Sequence, residues 1–326
     1  MKSSAVKKAI KTCYKARRPF FLWGQPGVGK SDTVRQAAEE LQVELRDVRA
    51  TLLDPVDLRG LPSPDGGKVK WLIPDFLPQN GVGMLFLDEL NSAPPATQAA
   101  CYQLILDRKL GDYELPDGWL VCAAGNRETD RAVTNRMPSP LSNRLIHMDF
   151  DVDQRDWEAW ALGAGVMTET IAFLRFRPAL LHQFDPTKNE KAFPTPRTWE
   201  FASDLLKQAP GEDIEFDMLK GTVGEGAAAE LLSFLRIFRS LPNPDAVLMM
   251  PLTAPVPTDP ATLYALCGAL AAKASEQVMD RMCTYANRLP DEYSVLLIRD
   301  VVHRAPNSIN TRGYIEWASK HADVLI

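Results

Sequence analysis

The residues best suited to chemistry form one short run, Gly24-Gln25-Pro26-Gly27-Val28-Gly29-Lys30-Ser31. Its spacing is G-x-x-x-x-G-K-S, in which glycines let the backbone wrap a phosphate with its N–H groups. A helix beginning near Lys30 would turn its positive dipole end toward the same phosphates. Lys30 has the charge and reach for β- and γ-phosphate oxygens, and the Ser31 hydroxyl suits Mg²⁺. The expected contact set runs from Gly24 through Gln25, Pro26, Gly27, Val28, Gly29, Lys30 and Ser31 to Asp32. A second run, Met84-Leu85-Phe86-Leu87-Asp88-Glu89, sets two carboxylates after four apolar residues. Asp88 would hold the metal through water, and Glu89 would polarise an attacking water.

These groups need elements to carry them to one place. Phe20-Phe21-Leu22-Trp23 reads as a buried strand ahead of the glycine run, and 32–41 as the helix after it. Further strands are expected over 43–48, 84–87, 119–124 and 145–150, giving a parallel five-stranded sheet. Such a sheet presents ligands at the carboxyl ends of its strands. Helical spacing marks 3–17 and 95–107. Pro64-Asp65-Gly66-Gly67 is a strong turn signal, and the alternation after it predicts a small hairpin carrying Lys68, Lys70 and Trp71. Two readings of that hairpin stay open: a partner-contacting element, or a solvated loop with Trp71 tucked against its own domain.

Beyond residue 151 strand signals give way to helices over 159–162, 171–181, 199–206, 225–241, 263–289 and 293–303. Along 263–289 the residues Leu263, Leu266, Leu270, Ala274, Val278 and Met282 make one apolar stripe, read as core packing. The expected organisation is an α/β domain over 1–152, a helical lid over 153–210 and a helical extension over 211–326.

The chain has 326 residues, 45% hydrophobic and 24% charged, with a net charge of −5. An acidic balance argues against a protein built to neutralise nucleic-acid phosphates. No run of 18 apolar residues and no signal-peptide pattern is seen, so no membrane span and a cytoplasmic location are expected. The five cysteines are scattered, which suits reduced thiols in that compartment.

Several segments resemble AAA+ ATPases. Ala123-Ala124-Gly125-Asn126 resembles a strand ending in the polar sensor-1 residue, which implies that Asn126 helps place the lytic water. Leu141-Ser142-Asn143-Arg144-Leu145 resembles the segment that carries the arginine finger, which implies that role for Arg144. The family favours Phe where Leu145 stands, and Arg127, Arg131 and Arg136 are rival phosphate contacts. Pro194-Thr195-Pro196-Arg197 resembles the sensor-2 helix start and implies that Arg197 contacts nucleotide. The run Leu87-Asp88-Glu89-Leu90-Asn91-Ser92-Ala93-Pro94-Pro95-Ala96-Thr97-Gln98 is similar to the MoxR branch, although Asn126-Arg127-Glu128 replaces the Asn-Pro-x common there. The resemblance implies ATP and Mg²⁺ as ligands, with hydrolysis of ATP to ADP and phosphate. It also implies a self-assembled ring (a hexamer) and a chaperone-like action on a protein partner, often one with a von Willebrand factor A domain. Two other functions fit the same machinery: a nucleic-acid motor or loader, and an ATP-dependent assembly switch with little turnover.

Overall fold

A computed structural model describes residues 1–65, 68–130, 137–188 and 190–322. Five strands form one parallel sheet: β1 (Phe20–Trp23), β2 (Glu44–Arg49), β3 (Gly83–Asp88), β4 (Trp119–Gly125) and β5 (Ile146–Asp149). Their spatial order is β2-β3-β4-β1-β5. Strand alternation sends successive side chains to opposite faces, and both faces are apolar. Phe20, Leu22, Met84, Phe86, Leu120, Cys122 and Ala124 pack with the helices Ser3–Ala16 and Lys30–Leu41. Phe21, Leu85, Leu87, Val121 and Ala123 pack on the other side with Cys101, Leu104 and Ile105 of the helix Pro95–Asp107. The result is an αβα sandwich, as the unbroken apolar runs of β1, β3 and β4 require of a sheet covered on both sides.

The chain divides into two compact units. The first holds Met1–Asp156 and Phe184–Asn189, and the second holds Trp157–Gln183 and Glu190–Ile326. The second unit is all-helical among its described residues, so the fold class expected from the sequence is the one found: a parallel five-stranded α/β sheet followed by helices. No helix among the described residues is long and apolar enough to cross a membrane.

One expected helix is two. The stripe over 263–289 is interrupted between Pro260–Ala271 and Glu276–Ala286. The first helix tightens at its end, with Lys273 N donating to Leu270 O and Ala274 N to Ala271 O. Ser275 is then extended, with φ −160° and ψ 161°. Apolar spacing continues across the break, so periodicity alone cannot reveal it. Three helices of the second unit were not expected: Glu212–Val223, Pro244–Met249 and Arg312–Lys320.

The hairpin exists, pairing Leu61–Asp65 with Lys68–Leu72. Gly66 and Gly67 lie outside the described residues. Pro62 faces Trp71 and Pro64 faces Val69 across the ribbon. Val69 is 61% exposed and Trp71 37%. At the hairpin base Gly60 has φ 82°, and a Cβ there would lie 1.9 Å from Leu72 O. Only glycine allows that approach.

The second unit has a buried charge cluster. Arg175 donates from Nε to Glu158 and from both terminal nitrogens to Asp300, with 2.9 Å separating Nε from Glu158 Oε2. All three side chains are buried or nearly so. Burial alone would lower the Arg175 pKa, but the bonds to Asp300 and Glu158 outweigh it and hold it above its usual value. Removing one partner would leave a buried charge uncompensated. Asp300→Ala should therefore cost about 3–5 kcal/mol, read as a lower urea midpoint for the transition of this unit.

Candidate functional site

Parallel pairing brings four chain segments to one edge of the sheet. Trp23 lies level with Gly125, Leu87 with Ala123, and Arg49 with Asp88. The residues that follow these strand ends are the ones the sequence marked out. Gly27 and Gly29 take φ values of 74° and 95°, the left-handed region that favours glycine. Gly29 caps the helix Lys30–Leu41, so the free N–H groups of that helix open onto the loop.

Lys30 Nζ folds back over the loop. It donates to Gly24 O at 2.7 Å, Gln25 O at 3.1 Å and Asn126 Oδ1 at 3.1 Å. Ser31 Oγ donates to Asp88 Oδ2 at 2.7 Å, and the other Asp88 oxygen accepts the Glu89 N–H at 2.9 Å. Asp88 is 8% exposed. A hydroxyl and a carboxylate in contact are two hard oxygen donors, which suits Mg²⁺ completed by phosphate and water. Glu89 has φ 55° and ψ 30°, left-handed for a residue with a Cβ. Such strain commonly marks functional positions. Its carboxylate accepts a bond from Thr51 Oγ1 at 3.1 Å.

Other expected residues are placed differently. Asp32 pairs with Arg35, 2.6 Å away. Arg127 is committed to Asp151 at 2.7 Å and Asp149 at 3.4 Å. The bond to Arg127 is the main reason the Asp151 pKa lies below the usual carboxylate value. Arg131 and Arg136 lie outside the described residues. Arg144 is exposed and makes no side-chain hydrogen bond or ion pair among the described residues. Ile146 pairs with Phe20, so Arg144 precedes β5 at the amino edge of the sheet. The phosphate loop follows β1 at the carboxyl edge, about six residues or roughly 20 Å along the strand direction. Its segment is held by His147, which accepts from Trp23 Nε1 at 2.9 Å through Nδ1 and lies 2.8 Å from Ser142 O through Nε2. Arg197 is carried by the second unit. It is exposed in the first turn of the helix Pro196–Lys207, which Thr195 and Thr198 cap reciprocally.

Sequence reading did not assign roles to Thr51 or Asn91. Asn91 is 1% exposed, and its Nδ2 donates to Asn126 O at 2.7 Å. Thr51 could not be found from spacing, because its partner is 38 positions away. Asn91 stood within the noted run, yet nothing local announces a bond to a different strand.

Fold and site together define a phosphate-loop α/β unit joined to an all-helical one. No family model matches the chain, and no curated protein matches it. Among solved structures, a RuvB mutant from Thermotoga maritima is 16% identical, with a TM-score of 0.42 over 82% of each chain. NtrX from Brucella abortus, in complex with ATP, is 14% identical with a TM-score of 0.44, over 92% of this chain and 66% of that one.

The closest approach in the site is testable. A Cβ on Gly125 would lie 1.9 Å from Asn91 Oδ1 and 2.9 Å from Phe21 Cζ. Gly125→Ala should destabilise by about 1–3 kcal/mol in urea unfolding, and Asn91→Ala in the same chain should return part of that loss.

Proposed function

We propose that this chain is a Mg²⁺-dependent AAA+ ATPase of MoxR-like type that works in a ring, expected to be a hexamer, and remodels or activates a protein partner. The convergence of Lys30 Nζ on Asn126 Oδ1 beside the Ser31–Asp88 pair is the observation that carries the reading. In that reading Lys30 gives up its bonds to the Gly24 and Gln25 carbonyls and takes the β- and γ-phosphates of ATP. The backbone of Gly24 to Asp32 cradles the phosphates. Ser31 and Asp88 would hold Mg²⁺, which supplies charge neutralisation on the phosphate oxygens. Glu89, released from Thr51, accepts a proton from the attacking water, while Asn126 orients that water. Arg197 keeps the nucleotide-contacting role that the sensor-2 resemblance implies, in a helical lid taken as 153–210, with 211–326 as the extension.

Glu89→Gln should leave ATP affinity near the wild-type value and lower kcat by about 10²–10⁴. Lys30→Ala should weaken nucleotide binding itself. Equilibrium binding of a fluorescent ATP analogue, set beside phosphate release, separates the two effects. Hydrolysis at the wild-type rate by the Gln variant would remove Glu89 from the mechanism.

The amino-edge position of Arg144, with an exposed side chain that has no partner among the described residues, supports a finger that serves a neighbour's nucleotide. A finger contributes about 10³–10⁵ in rate. Mixed rings of Arg144→Ala and Lys30→Ala chains should regain activity, because some interfaces pair an intact finger with an intact loop. Verified mixed rings without recovery would argue against action across a subunit boundary. The partner, possessing in this reading a von Willebrand factor A domain, would meet the hairpin that carries Lys68, Lys70 and Trp71.

A further inference from the structure

The ladder between β3 and β4 ends at the pair Leu87 and Ala123. Past it, the chain carrying Glu89 and the chain carrying Asn126 both turn away from strand geometry. One side chain crosses between them: Asn91 Nδ2 donates to the Asn126 carbonyl at 2.7 Å. Asn91 is itself held from behind, where Gln98 Nε2 donates to Asn91 O at 3.2 Å and to Ala93 O at 2.9 Å. Gln98 is 3% exposed, and Tyr102 OH donates to its Oε1. Residue to residue, the contacts link Tyr102, Gln98, Asn91, Asn126 and Lys30, passing through the backbone carbonyl and the side chain of both Asn91 and Asn126.

Two features set Asn91 apart from an ordinary core polar residue. Its Oδ1 is buried with no hydrogen-bond partner among the described residues. An unpaired buried acceptor is costly, and an apolar residue of the same shape would avoid that cost. The neighbouring strand also makes room for it, since any Cβ at 125 would collide with the Asn91 carboxamide. A glycine and a half-satisfied amide meet around one directional bond, and the atom that bond holds is the carbonyl oxygen of Asn126.

We propose that Asn91 is a positioning residue for hydrolysis: its carboxamide clamps the Asn126 peptide and so sets the spacing between Asn126 and Glu89, with Gly125 as the residue that admits the clamp. This role rests on the ATPase reading. Asn91 is 1% exposed and acts through Asn126. Losing the clamp lets the Asn126 carboxamide drift, while the phosphate loop that binds nucleotide keeps its own glycines, Lys30 and Ser31. The loss therefore falls on turnover and not on affinity.

The test is a double-mutant cycle in the full chain with Asn91→Leu and Asn126→Ala, reading kcat, KM and the Kd of a fluorescent ATP analogue. Asn91→Leu keeps the branching at Cγ and removes the donor. Its kcat should fall about tenfold to a hundredfold, as small misplacements of a reacting group do, with KM and Kd within about threefold. In the Asn126→Ala background the same substitution should cost less than about twofold, because coupled residues are non-additive. Should the Leu variant lose its folded profile in thermal melting and gel filtration, Asn91→Ala replaces it in the same cycle. An Asn91 variant that keeps wild-type kcat, or loses the same factor in both backgrounds, or weakens Kd in step with kcat, overturns the positioning role alone. A wild-type chain that binds the analogue but shows no turnover overturns the ATPase reading, and this role with it.

Discussion

Parallel strand pairing is the constraint on which the rest of the site depends. When all strands run the same way, every strand's carboxyl end reaches the same edge, whatever the distance in sequence. Gly24, Asp88 and Gly125 are far apart in the chain, yet the register sets Trp23 beside Gly125 and Leu87 beside Ala123. That register is kept because both sheet faces are buried. A one-residue slip of β4 would exchange Leu120, Cys122 and Ala124 with Val121 and Ala123 between two differently shaped cores. The apolar alternation that holds the sheet thus also holds the distance from Lys30 to Asn126.

Polar groups at that edge are then arranged so that each is held by another. Lys30 rests on loop carbonyls and on Asn126, Ser31 on Asp88, and Glu89 on Thr51. Each of these bonds has one ionised partner, Lys30, Asp88 or Glu89, for which a phosphate or a divalent cation could compete. Stored strain accompanies them in the left-handed Glu89. Rigid backbone with exchangeable side-chain bonds is what a site needs if it is to bind and then act.

The helical unit solves a different problem. Its core gathers Leu263, Leu266, Leu270, Met279, Met282, Tyr285, Leu297 and Trp317 from helices that are short and broken. Directionless apolar packing would leave their mutual angles loosely defined. Arg175, bonded to Glu158 and Asp300 from two other helices, adds bonds that are satisfied in one arrangement. Trp317 does likewise, its Nε1 donating to Ser294 Oγ at 2.9 Å inside the core.

Much of this was open to inspection in the residues themselves. The phosphate loop, the Asp88-Glu89 pair and all five sheet strands follow from local spacing, because a strand's burial and a loop's glycines are properties of adjacent residues. The break at Ser275 did not show, since apolar spacing carried on through it. Nor did the exposure of Trp71, which depends on what the rest of the fold leaves uncovered. Sequence alone determined which residues can do chemistry and which strands could carry them. Tertiary structure decided that Arg127 is bound to Asp149 and Asp151 while Arg144 stands exposed at the opposite edge, without a side-chain partner among the described residues, and that Thr51 meets Glu89 and Asn91 meets Asn126. Those pairings are set by sheet register and loop path, long-range quantities that no local pattern encodes.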